Sequence, residues 1–73
     1  MERKVLIGIM PGIIEEKSFT IGTSIEDVLI KANITIPYAY IVYVDGIQIF
    51  NLDLTRITDK TNKIFILRIF QGD

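Results

Sequence analysis

The chain has 73 residues, 49% of them hydrophobic and 23% charged, with eight basic and nine acidic side chains giving a net charge of −1. A chain of this size makes one domain, residues 1–73, and buries only about 60% of its unfolded surface, so its core has to be dense. The near-neutral charge excludes the basic footprint of a nucleic-acid binder. The lack of cysteine and histidine removes disulfides, thiolate metal sites and the commonest general base, so no cofactor is expected.

Val5 to Ile9 is an apolar, β-branched run that reads as a first strand, too apolar for a sheet edge. Gly8 inside it marks a bulge or a close backbone approach, or is incidental. Met10-Pro11-Gly12 breaks the strand, and Ile13 to Ile21 returns as a second one. Glu15, Glu16 and Lys17 at its middle suit a charged outer position. Gly22-Thr23-Ser24 closes this hairpin and opens a helix. Ser24 is a preferred N-cap, and Glu26 and Asp27 lie at the positive end of the dipole. Ile25, Val28, Leu29 and Ala32 form one apolar stripe, and Asn33 and Pro37 limit the helix to about three turns, Ser24–Asn33. Tyr40–Val44 and Ile47–Phe50 flank Asp45-Gly46, the signature of a type I′ hairpin, read here as a turn and nothing more. Residues 51–62 are irregular, with Leu52, Leu54 and Ile57 as expected anchors. Lys63 to Phe70 is broken only by Arg68 and reads as a strand covered on both faces, hence central.

The order strand, strand, helix, strand, strand, strand leaves few solutions. In the simplest, the first and last strands lie side by side and parallel in the centre, each with a hairpin partner outside, and the helix crosses one face. The expected fold class is α+β: a β-grasp (ubiquitin-like) mixed sheet of about five strands with one main helix. Phe65, Leu67 and Ile69 share one face of the last strand, while Ile64, Ile66, Arg68 and Phe70 share the other. The charge of Arg68 assigns the second face to the side away from the helix. Ile64, Ile66, Arg68 and Phe70 then form the expected partner-binding surface, near the tail. Glu15-Glu16 and Glu26-Asp27 read as a solvated strand and a capped helix, not as acid–base pairs. No apolar run approaches the ~20 residues of a membrane span. Met1 to Lys4 leads straight into a strand, so no membrane partner and a soluble, cytoplasmic protein are expected.

Gly22-Thr23-Ser24-Ile25-Glu26-Asp27-Val28-Leu29 resembles the helix start of the ThiS and MoaD sulfur-carrier families, and Ile41 to Ile49 resembles their second hairpin. Lys63 to Gly72 resembles the end of a ThiS-like chain, including the spacing of the terminal glycine. The resemblance implies a carrier that is not itself an enzyme. An E1-like adenylyltransferase would activate its C-terminal carboxyl, sulfur would replace the adenylate, and a downstream synthase would take the thiocarboxylate. The pathway would be thiamine or molybdopterin biosynthesis, or tRNA thiolation. The carrier tail is then Gly72 and Asp73, with Asp73 standing where the family has its second glycine. Asp73 brings a negative charge and an internal nucleophile to the reacting position. The alternative is a β-grasp protein-interaction module without conjugation chemistry.

Overall fold

The computed structural model describes residues 1–10, 12, 14–34 and 40–68, with Arg68 by its backbone alone. The first apolar run forms β1 (Glu2–Met10), longer at both ends than the Val5–Ile9 expected from hydropathy. The charged second segment forms β2 (Ile14–Thr20). These two are antiparallel, with Leu6 opposite Glu16 and Gly8 opposite Ile14. Gly8 stays in regular register with both neighbouring strands, so it marks no bulge.

Helix α1 (Ile25–Lys31) starts as its cap residue dictates: the Ser24 hydroxyl oxygen accepts from the Asp27 N–H at 3.1 Å. It has seven residues, two turns and not three. The stop is a Schellman motif, in which the Asn33 N–H donates to the Ile30 carbonyl (3.1 Å) and the Ile34 N–H to that of Leu29 (3.0 Å). Asn33 itself adopts the left-handed conformation (φ 58°), which asparagine tolerates better than most residues.

Strands β3 (Tyr40–Val44) and β4 (Ile47–Ile49) form the second hairpin. Asp45 (φ 51°) and Gly46 (φ 83°) are both left-handed, as a type I′ turn requires. The last strand, β5 (Lys63–Arg68), lies between β1 and β3, parallel to the first and antiparallel to the second. The full order is β2-β1-β5-β3-β4, so the two most apolar runs are indeed innermost.

One layer of apolar side chains joins helix and sheet. Val5, Ile7, Val42, Ile64 and Ile66 from the strands meet Ile25, Val28 and Leu29 from the helix, with Phe19 and Ile57 completing the cluster. In the irregular segment Ile57 is buried and Leu52 packs against the core, whereas Leu54 is 72% exposed and is no anchor. The turn at 51–55 explains this. Its backbone closes on the Asn51 carbonyl, which accepts from Leu54 and Thr55, and Leu54 sits on the outside of that turn. Among the described residues no helix is long and apolar enough to cross a membrane.

Candidate functional site: the two faces of the C-terminal strand

Alternate residues of a strand point to opposite faces, so register with neighbours of known burial assigns the faces of β5. Ile64 lies opposite Ile7 and Val44, and Ile66 opposite Ile9 and Val42. Both isoleucines are 0% exposed and belong to the core beneath the helix. The expected surface of Ile64, Ile66, Arg68 and Phe70 is therefore corrected. Its two isoleucines are core, and a single charge at the last strand position was a poor guide to the whole face. The Arg68 side chain and the whole of Phe70, Gly72 and Asp73 lie outside the described residues.

The open face belongs to the other set. Phe65 lies opposite Gly8 and Tyr43, and Leu67 opposite Met10 and Ile41. Phe65 is half-buried although no helix among the described residues covers it. The reason is Gly8: a Cβ there would stand 2.9 Å from Cδ1 and 3.1 Å from Cε1 of Phe65, and 3.2 Å from Cγ1 of Ile14. The glycine lets the ring lie close over β1, with Ile14 at its border. The close approach at Gly8 is thus made by side chains and not by another backbone. Leu67, Met10 and Ile14 remain 39%, 40% and 53% exposed, which makes the upper half of this face apolar. The lower half is polar, with the Lys4–Glu16 ion pair (4.0 Å) and Lys63. This exposed pair is worth little to stability and serves mainly to keep that half wet.

The start of β5 is fixed by a residue that sequence reading confined to a turn. The Asp45 carboxylate accepts from the Lys63 N–H at 2.8 Å and from the Asn62 N–H at 3.0 Å. The Lys63 carbonyl in turn accepts from the Asp45 N–H at 2.9 Å. From the other side, Arg3 donates to the Thr61 carbonyl (2.8 Å) and to Oδ1 of Asn62 (2.6 Å). The signal in the sequence was the aspartate of Asp45-Gly46, since asparagine suits the turn equally well but carries no charge for backbone donors. Among the described residues there is no cluster of acidic side chains fit to hold a metal ion.

Compared with family models, with curated proteins and with solved structures, the chain matches none of them.

Proposed function

We propose that the chain is a β-grasp carrier of the ThiS/MoaD kind, which acts through a protein partner and not as a catalyst. The observation that supports this best is the strand order β2-β1-β5-β3-β4, with β1 and β5 parallel at the centre and one helix on one face. We read that order as a β-grasp arrangement, in which the strand preceding the tail is paired on both sides. The apolar half of the open face, centred on Phe65 and Leu67, offers an E1-like activating partner a docking surface on the same strand. Cytoplasmic action and a downstream synthase belong to the same proposal.

In the proposed chemistry a terminal carboxylate attacks the α-phosphorus of ATP and pyrophosphate leaves. A sulfur nucleophile then displaces AMP. With Asp73 as the acyl residue, its side-chain carboxylate can itself expel AMP by closing a five-membered anhydride, which water reopens to aspartate. Proximity makes such a closure fast. Removal of Asp73 leaves Gly72 as an acyl residue with no internal nucleophile and no Cβ to obstruct a narrow channel.

The test is mass spectrometry of the C-terminus after incubation with an E1-like adenylyltransferase, ATP and a sulfur donor. Intact chain, Asp73-deleted chain and Asp73→Gly are compared. The carrier reading expects a thiocarboxylate on the intact or the Asp73-deleted chain, and faster reaction for Asp73→Gly than for intact chain. Failure of all three defeats it. Reaction of Asp73→Gly alone favours the second reading, an interaction module whose native tail takes no part in acyl transfer. The aspartate at the reacting position is the observation on that side.

A further inference from the structure

The two edges of the sheet are finished in different ways. β2 closes one side with Glu15, Glu16 and Lys17, a charged finish that discourages further pairing. β4 closes the other with Ile47, Gln48 and Ile49, followed by Phe50, and none of these is charged. β4 pairs with β3 alone, so its outer backbone groups have no strand partner among the described residues. Phe50, Leu54 and Ile47 are 79%, 72% and 69% exposed, the most exposed large apolar side chains among the described residues after Met1.

Phe50 and Leu54 do not sit on a loose tip. The Asn51 carbonyl accepts from the N–H of Leu54 (3.2 Å), the N–H of Thr55 (3.0 Å) and the hydroxyl of Thr55 (2.9 Å). The same turn is pinned to the start of α1, where Ile25 and Glu26 donate to the carbonyls of Thr55 (2.8 Å) and Leu52 (3.1 Å). The backbone that carries these two exposed apolar side chains is thus held in place before any partner arrives, which lowers the ordering cost of binding. Beside them, Tyr40, Val42, Ile49, Phe50 and Leu52 line a shallow groove of about 330 Å³.

The charge around this corner selects the occupant. The turn carries Asp53 next to the residue that binds the Glu26 N–H, and Asp27 follows in the same helical turn. The ion pairs among the described residues are Lys4–Glu16 and Lys17–Glu15, both elsewhere. Arg56, the nearest cation in sequence, donates to the Gly22 carbonyl at 2.9 Å. A second copy of the chain would bring these acids towards its own, at a cost. A basic partner gains from them.

We propose that the β4 edge and the Phe50–Leu54 turn form a docking site for an extended, basic–apolar partner segment, which adds to the sheet as a sixth strand. Backbone pairing supplies the general affinity, the exposed apolar side chains supply the anchor, and the acids choose lysine or arginine flanks. The site makes no use of β5 or the tail, so it stands or falls apart from the carrier reading.

The experiment is an amide chemical-shift titration of the isotope-labelled chain with two capped eight-residue peptides, one alternating valine and lysine, the other valine and glutamate. Shifts concentrated at residues 47–54 are expected, with binding of the lysine peptide at least about tenfold tighter at low salt. Phe50→Asp and Leu54→Asp each leave the fold intact, since both side chains are exposed, and each weakens apolar anchoring. No shift at 47–54 with millimolar lysine peptide overturns the proposal, as does equal binding of the two peptides. So does a dimer, seen by sedimentation, that Phe50→Asp dissolves, because a second copy would then be the occupant.

Discussion

The two faces of β5 use nearly the same side chains for different ends. Ile64 and Ile66 are fully buried beneath α1, while Phe65 is half-buried and Leu67 is 39% exposed on the face away from α1. Hydropathy does not separate them. What separates them is their neighbours across the sheet: Ile7, Ile9, Val42 and Val44 for one pair, Gly8, Met10, Ile41 and Tyr43 for the other. In a strand that is apolar on both sides, composition shows that it is central, and only its neighbours show which side is core.

The largest effect that can break this comparison is at Ile66. Ile66→Ala should cost about 2–5 kcal/mol in denaturant unfolding, as a buried cavity does. Leu67→Ala, one residue on, should stay within about 1 kcal/mol. Equal losses would mean that the two faces are not distinct layers. Next comes Gly8, where alanine must push the Phe65 ring aside. We expect Gly8→Ala to cost about 1–3 kcal/mol, as overpacking does, and Gly8→Ala with Phe65→Leu to recover part of it. A neutral Gly8→Ala would show that the ring does not rest on the strand. The smallest effect concerns Asp45. Asp45→Asn keeps the left-handed turn residue but weakens the charge-assisted bonds to Asn62 and Lys63. A loss of about 1 kcal/mol is expected by the same measurement, and no loss would confine Asp45 to its turn.

Much of the topology was legible because each element carries its own local signal. Ser24 caps the helix, Asp45-Gly46 turns the hairpin, and the two most apolar runs take the centre. Three things were not legible, each for a physical reason. The helix ends two residues before the expected Asn33, because Asn33 goes left-handed, although Ala32 continues the apolar stripe. Leu54 looks like an anchor by hydropathy, but the turn closed on the Asn51 carbonyl faces it outward. The face assignment failed because Arg68 is one charge at a strand end, whereas burial of Ile64 and Ile66 is decided by four neighbouring positions. The place of the C-terminal strand in the sheet was read correctly, and which of its side chains are buried was not. Gly8, the residue that shapes the open face, was noticed without its partner Phe65, since pairing across parallel strands leaves no trace in local sequence.

The central claim is that the open face of β5, and not its buried face, receives the activating partner. ATP–pyrophosphate exchange by an E1-like adenylyltransferase, with the Asp73→Gly chain as the adenylyl acceptor, tests it most directly. Leu67→Asp in that background is compared with Ser18→Asp, which changes the polar half of the same face; both chains are first shown to be folded by near-ultraviolet circular dichroism. The account predicts that Leu67→Asp lowers exchange at least about tenfold, a loss of roughly 1.4 kcal/mol or more, while Ser18→Asp leaves it unchanged. Exchange undiminished by Leu67→Asp would contradict it.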